Sequence, residues 1–295
     1  MTFSSAFAQF PAHKKIAERI SDLLQQDERV LGIYLSGSFA YGQPDMYSDL
    51  DFYILVPQEL REQIKKDHET LRGQVGDIVS DFPATHLGDP NQFITFYQDS
   101  YPIHVDYQYR VKDELAPRKI DKDVLILLDK SGELQEWKDK CASIEESYSP
   151  TQEQLQYLEE RFWAWCIYTD SKIKRGELWA ARDAIEYMRN NVLIRLAYYI
   201  HSLRSEGNRR IETKFPKEIP SLLESTLQKG HSQKDYGNAL LALADCYVGL
   251  MNEATKIFNI EIQEKAREYF KGFLRCFGNP VPETRRATPP EPDKF

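Results

Sequence analysis

The chain has 295 residues, of which 41% are hydrophobic and 12% aromatic, so it can build one large domain or, as its length favours, two. Its formal net charge of −8 argues against a nucleic-acid partner, because proteins that bind nucleic acids carry basic patches. No secretory signal opens the sequence, and no apolar run approaches the ~20 residues of a membrane span. The four cysteines form no Cys-x-x-Cys pair, which fits a reducing compartment. We therefore predict a cytoplasmic protein without membrane partners.

The first predicted elements are an amphipathic helix and a strand that ends in a glycine-serine turn. Apolar residues at helical spacing predict a helix over residues 12–26, and the apolar run 30–35 predicts a strand. Gly37 and Ser38 then allow a tight turn into a second helix. Backbone N–H groups and a hydroxyl at such a turn suit phosphate oxygens. A plain N-cap role for Ser38 is the alternative, and the two roles are compatible because both use the start of one helix.

Two aspartates lie at the beginning of the next predicted strand. Asp49 and Asp51 stand beside the apolar run 52–56, and residues i and i+2 of a strand point to the same face. Their carboxylates therefore converge, and paired carboxylates together with substrate phosphates are a usual way of holding Mg²⁺. Ordinary turn or edge-strand carboxylates are the alternative, but aspartate is depleted in strands. The sequence thus predicts a magnesium site here.

A third carboxylate is predicted to join this pair. Residues 93–97 and 102–109 predict two strands joined by a hairpin turn, and the second strand carries Asp106. Apolar and polar residues alternate along it, so Asp106 projects from the polar face beside His104 and Gln108. On that face it could meet the two earlier aspartates.

The remaining elements complete a sheet domain and begin a helical one. A helix over residues 58–72 follows Pro57, and the run 124–128 predicts a buried closing strand of a mixed sheet. Later segments have helical spacing and short connections, which indicate a bundle. Four helices are predicted there after a first one near Leu155, over residues 178–201, 219–228, 236–258 and 262–276. We predict an α/β (α+β) domain with a mixed sheet over residues 1–146, an all-α helical bundle over 147–277 and a flexible, proline-rich tail over 278–295.

The glycine-serine turn and the two aspartates also support a family resemblance. Gly37-Ser38-Phe39-Ala40-Tyr41-Gly42, followed by Ser48-Asp49-Leu50-Asp51, resembles the signature of the DNA polymerase β-type nucleotidyltransferase superfamily. The longer string around it resembles the lincosamide nucleotidyltransferases and is similar to the antibiotic nucleotidyltransferases that modify aminoglycosides. The resemblance is strong over roughly Glu28 to Val56 and continues more weakly through the Asp106 strand and the helices after Ser149.

This resemblance implies an activity. It is the Mg²⁺-dependent transfer of a nucleoside monophosphate, most often AMP from ATP, to a hydroxyl of a small-molecule acceptor, with release of pyrophosphate. Asp49 and Asp51 would hold two Mg²⁺ ions, and Asp106 would bind metal, take the acceptor's proton or do both. That choice stays open, because the lincosamide enzymes carry glutamate at the equivalent place. The acceptor (a lincosamide, an aminoglycoside or an unrelated metabolite) and the oligomeric state (monomer or homodimer) also stay open.

The resemblance further implies how a nucleoside triphosphate is bound. Gly37 and Ser38 would orient its β- and γ-phosphates. A basic residue of the helical, substrate-binding domain contacts the triphosphate in the related enzymes, and similarity suggests Lys172, Lys174 or Arg175 for this role. The alternative is a solvated helix end, because cations are favourable at helix C-termini.

Three further hypotheses concern the helical region and the function class. Arg195 and His201 loosely fit the Arg-then-His spacing of the HEPN ribonucleases of toxin–antitoxin or RNA-processing modules, although leucine follows the arginine where a polar residue is usual. A nucleotide-binding regulator without transfer activity is disfavoured because all three carboxylate positions are filled. The aromatic residues of the helices could stack a substrate ring or simply form core, namely Trp163, Trp165, Tyr168 and Trp179.

Overall fold

The computed structural model describes residues 2–274, which fall into two compact units on either side of the Glu146–Ser147 peptide bond. The first unit contains a six-stranded sheet, and the second is built from helices. This confirms the predicted fold class of a mixed-sheet α/β (α+β) region followed by a helical one. Within residues 2–274, no helix combines the length and the apolar character that a bilayer span requires.

The sheet of the first unit is mixed. Its strands are β1 Gly32–Ser36, β2 Leu50–Leu55, β3 Ile78–Pro83, β4 Gln92–Tyr97, β5 Ile103–Arg110 and β6 Leu125–Asp129. Their order across the sheet is β3-β4-β5-β2-β1-β6. β2 runs parallel to β5, and all other neighbouring pairs are antiparallel. The parallel pair places the predicted carboxylate strands side by side in the middle of the sheet.

Different elements cover the two faces of this sheet. The helices of the unit are α1 Phe3–Ala6, α2 Pro11–Gln25, α3 Gly37–Tyr41, α4 Arg61–Gly73 and α5 Glu133–Ser143, with 3₁₀ turns at Gln58–Leu60, Thr85–Leu87, Lys112–Glu114 and Lys119–Asp123. Phe52 and Ile54 of β2 pack on one face with buried residues of α2 and α4. Tyr34 of β1 packs on the other face with Trp137 of α5. Because side chains alternate along a strand, Asp51 lies on this second face.

Three elements of the first unit differ from the sequence prediction. The run 124–128 forms β6, but β6 is an edge strand in which only Leu125 is fully buried, so the prediction of a buried closing strand is wrong. β3 has no predicted counterpart, since it is the opposite edge strand and is exposed along most of its length. α5 was not predicted either, because only three of its eleven residues are buried and its apolar pattern is sparse.

The described part of the second unit contains seven α-helices around one apolar core. They are α6 Gln152–Arg175, α7 Leu178–Met188, α8 Ile194–Ile200, α9 Ile211–Lys214, α10 Glu218–Ser225, α11 Gln233–Ile257 and α12 Glu264–Leu274. Gly176 ends α6 in the left-handed conformation, as is common for a glycine after a helix. The helix predicted over 178–201 changes to a π-helical turn at Arg189–Leu193, where buried Arg189 donates hydrogen bonds to Thr226.

The solvent exposure of individual side chains tests several predictions made for the helical region. Trp163 is only 1% exposed and belongs to the core, so it cannot stack a substrate ring. Cys141, Cys166 and Cys246 are buried free thiols. The predicted tail 278–295, Cys276 and the end of the last predicted helix lie outside the described residues.

Candidate active site

The glycine-serine turn connects β1 directly to the short helix α3. Ser36, not Ser38, is the N-cap residue of α3, so the alternative role of Ser38 as an N-cap is wrong. The Ser36 hydroxyl instead shares a 2.6 Å hydrogen bond with the Tyr41 hydroxyl at the other end of the helix. Gly42 follows with a φ of +75° and ends α3 after little more than one turn.

Gly37 is required by a contact with Asp51. Its φ is +70°, and a Cβ added there would lie 2.0 Å from the Asp51 Oδ2 atom. A tight turn and the approach of phosphate oxygens were the expected reasons for a glycine at this position. The structure adds a reason that the sequence could not show, because the turn is packed directly against one of the predicted metal-binding carboxylates.

The hydroxyl of Ser38 is buried and has no hydrogen-bond partner within residues 2–274. Buried polar atoms are almost always paired, so an orphaned one calls for a ligand, an ion or a water. Ser38 is the second residue of α3, where backbone N–H groups are also unpaired and favour negative charge. This position fits the predicted contact with a phosphate oxygen.

The three predicted carboxylates converge. Asp51 and Asp106 are register partners on the parallel strands β2 and β5, and Asp49 precedes β2 by one residue. One carboxylate oxygen from each of the three residues lies within 4.8 Å of the other two. All the donors are hard carboxylate oxygens on one face of the sheet, which is the ligand type that Mg²⁺ prefers. The residues present therefore fit a Mg²⁺ site.

His104 is a further member of this cluster. Its Nε2 atom lies 3.0 Å from Asp106 Oδ1, and its ring stacks on Phe96 with centroids 4.7 Å apart. Burial tends to lower the pKa of His104, but the hydrogen bond to Asp106 and the charges of the three aspartates outweigh burial and raise this pKa above its usual value. The sequence placed His104 on the same face as Asp106, and the structure shows that the histidine fixes one of its oxygens.

The three predicted cations of the second unit lie at the C-terminal end of α6, and each has an acidic neighbour. Lys174 pairs with Asp170 at 2.8 Å, and Arg175 pairs with Glu177 at 2.7 Å. Lys172 lies 3.8 Å from the same glutamate, with its Nζ atom 4.5 Å from the centre of the Tyr168 ring. These pairs are what a solvated helix end would show, and the triphosphate role of the cluster stays a prediction.

The family of the chain is given by comparison with known proteins. The family model of streptomycin adenylyltransferase matches residues 12–276. This chain belongs to the streptomycin adenylyltransferase family. It is accordingly an enzyme of the nucleotidyltransferase class, which confirms the resemblance of the glycine-serine turn and its aspartates to antibiotic nucleotidyltransferases.

Solved structures with a similar chain trace include two bacterial proteins. An aminoglycoside 6-adenyltransferase from Bacillus subtilis is 16% identical, with 89% of this chain and 97% of that chain covered and a TM-score of 0.43. A nucleotidyltransferase-like protein from Exiguobacterium sibiricum is 12% identical, with coverages of 90% and 89% and a TM-score of 0.32. Among curated protein sequences, none matches this chain.

Proposed function

We propose that this protein transfers AMP from ATP to a hydroxyl group of an aminoglycoside, with Mg²⁺ bound at the three aspartates. The observation that carries the proposal is the convergence of Asp49, Asp51 and Asp106 beside the glycine-serine turn, in a chain of the streptomycin adenylyltransferase family. The family match favours an aminoglycoside acceptor over a lincosamide, although the segment around Asp49 also resembles the lincosamide enzymes.

The residues of the first unit would divide the reaction between them. Ser38 and the N–H groups at the start of α3 bind phosphate oxygens of ATP and hold the departing pyrophosphate. Asp49, Asp51 and Asp106 hold Mg²⁺, two ions in our proposal, which when bound neutralises charge on the reacting phosphate and activates the acceptor hydroxyl. Most of the rate enhancement then comes from positioning and charge neutralisation.

Asp106 would also accept the proton of the acceptor hydroxyl. Its Oδ1 atom lies 3.0 Å from His104 Nε2, so the histidine positions the carboxylate. A positioned proton acceptor contributes typically ~10²–10⁴-fold to the rate. His104 acts through Asp106 by fixing the orientation of the carboxylate.

The second unit, residues 147–277 in our proposal, would supply further substrate contacts. Lys172, Lys174 and Arg175 form its local basic cluster, and pairing with Asp170 and Glu177 would be exchanged for the triphosphate. Arg195 and His201 have no part in this proposal, and the His201 ring packs against Phe215.

The test is a direct transfer assay. The protein is incubated with Mg²⁺, with each nucleoside triphosphate in turn, and with a panel of acceptors that contains streptomycin, other aminoglycosides and a lincosamide. The masses of the products are then measured by mass spectrometry. We expect an aminoglycoside to gain one AMP unit with ATP, and no product with EDTA. A gain on the lincosamide alone would refute the aminoglycoside proposal, and no gain on any acceptor would refute the transfer activity on antibiotics.

A further inference from the structure

Asp51 and Asp106 occupy one row of residues across the sheet, and the next row on the same face lines a cavity. The β2–β5 register that pairs Asp51 with Asp106 pairs Tyr53 with Gln108 two residues further along. Residues i and i+2 of a strand share a face and lie about 7 Å apart. The whole second row consists of Tyr34 of β1, Tyr53 of β2, Gln108 of β5 and Gln92 of β4.

All four residues of this row line a cavity of about 400 Å³. Its other walls come from the segments that follow β5, including Arg118 and Trp137, and from Leu87, which is 61% exposed. The volume lies within the ~300–1,000 Å³ range of small-molecule sites. A molecule in the cavity would thus lie one residue row, or about 7 Å, from Asp51 and Asp106.

Gln92 is the polar residue with which β4 contributes to this cavity. It is 8% exposed and lines the cavity at the start of β4. A glutamine amide offers two donors and an acceptor. A ligand with hydroxyl or amino groups in the cavity could exchange hydrogen bonds with it.

The charged groups around the cavity do not select for ligand charge. Arg110 pairs with Asp89 at 2.5 Å and Arg118 with Asp121 at 2.7 Å. The third carboxylate of the lining, Glu114, pairs with Arg61 at 2.6 Å. Each carboxylate thus already has a guanidinium partner within the protein. Hydrogen bonding, rather than net charge, distinguishes the ligand.

The aromatic rings of the cavity are also already packed. Tyr34 stacks on Tyr53 with centroids 4.6 Å apart, Trp137 packs against Tyr34, and the Arg110 guanidinium lies over the Tyr53 ring. Tyr34 and Tyr53 thus cover one face of each other, and Arg110 lies near the Tyr53 ring, which leaves a planar base less aromatic surface to stack on. The cavity favours a saturated ring that carries hydroxyl groups.

The reaction geometry places the acceptor on this side of the aspartates. In-line displacement puts the attacking hydroxyl and the departing pyrophosphate on opposite sides of the α-phosphorus. The glycine-serine turn follows Ser36, the last residue of β1 and the register partner of Asp51, and so lies beyond Asp51 in the direction of the start of β2. The Tyr53–Gln108 row lies in the opposite direction along β2.

We propose that this cavity receives a hydroxyl-rich, saturated ring of the acceptor, and that Gln92 is a hydrogen-bonding residue that determines acceptor specificity. The inference rests on the proposed transfer function, since the reaction geometry defines which side the acceptor occupies.

The test compares Gln92→Leu with Gln98→Leu as a matched control, because Gln98 is exposed just after the same strand. Steady-state kinetics are measured with ATP and streptomycin or whichever panel acceptor is modified, and direct binding of streptomycin is measured by saturation-transfer NMR without ATP. We expect Gln92→Leu to raise the KM for the acceptor ~10–100-fold, as for loss of one or two hydrogen bonds to a buried group, with the Kd for ATP unchanged. Leu87→Trp, which fills the exposed rim, should weaken acceptor binding without loss of the folded state.

The outcomes separate this inference from the proposed function. Transfer by the wild type with an unaltered acceptor KM in both Gln92→Leu and Leu87→Trp would overturn the cavity assignment and leave the function standing. Streptomycin binding that is lost in these variants, in a protein that transfers no AMP, would support the cavity and refute the transfer function. Absence of streptomycin binding and of any modified acceptor in the wild type would overturn both.

Discussion

Replacing Gly37 by alanine should disable the active site while leaving the fold intact. The added Cβ would lie 2.0 Å from Asp51 Oδ2, whereas real Cβ contacts essentially never fall below 3.0 Å. The carboxylate or the turn must therefore move by at least about 1 Å. Displacements of this size at a reacting centre can cost ~100-fold in rate, so we expect kcat/KM to fall at least ~100-fold.

The left-handed backbone adds a second cost, which a control can isolate. Gly132 has a φ of +80° and open space where a Cβ would stand, so Gly132→Ala carries the backbone cost without the clash. Each variant should lose about 1–2 kcal/mol of stability, or a few degrees in Tm. Transfer kinetics and thermal unfolding of both variants are the assay. Activity in Gly37→Ala within threefold of Gly132→Ala would refute the contact with Asp51 as the reason for the glycine.

Three other predictions address the metal, the phosphate and the pH. Asp51→Asn should lower kcat by at least ~10³-fold and weaken Mg²⁺ binding in calorimetry. The control variant Asp45→Asn, in the preceding loop, should do neither. Equal Mg²⁺ affinity in the two variants would contradict the metal site. Ser38→Ala should raise the KM for ATP ~10–100-fold without lowering Tm, because its hydroxyl loses no protein hydrogen bond, and a lower Tm with normal KM would show a structural role instead. Burial lowers the pKa of His68 despite its hydrogen bond to Asp27. The unfolded chain therefore binds a proton near pH 6.5 that the folded chain excludes. Because of this difference, the folded state loses stability as the pH falls below that value. Denaturant unfolding at pH 7 and pH 5 should show a smaller loss in His68→Gln than in the wild type, and an equal loss would exclude His68 as the cause.

The convergence of the three aspartates could be predicted from the sequence because its signals are local. The spacing of Asp49 and Asp51 on a strand determines that both side chains share a face, whatever the rest of the fold does. Asp106 needed only the alternation of its own strand and the resemblance to a superfamily with a third carboxylate. The structure then brings the three oxygens within 4.8 Å of one another through the β2–β5 register.

Features that depend on distant pairing could not be predicted. β3 carries exposed apolar residues such as Val79 and Phe82, so its pattern does not distinguish an edge strand from a loop. Gln92 is an ordinary polar residue at the start of a strand until the register places it beside Gln108, one row from the aspartates. The sequence left open whether the basic cluster at the end of α6 is a triphosphate contact or a solvated helix end, and it did not predict that Asp170 and Glu177 pair with Lys174 and Arg175.

The contact between Gly37 and Asp51 also has a thermodynamic consequence. The turn that would hold the phosphates and the carboxylate that would hold Mg²⁺ are packed without a gap, on β1 and β2 strands whose register fixes Ser36 opposite Asp51. A rigid junction of this kind cannot adjust one subsite without moving the other. Binding of Mg²⁺ should therefore pre-form the turn for ATP, and by linkage ATP should strengthen Mg²⁺ binding by the same factor. The sequence motif places Gly37, Ser38, Asp49 and Asp51 within fifteen residues, and the structure packs Gly37 directly against Asp51, so we expect the two subsites to respond together.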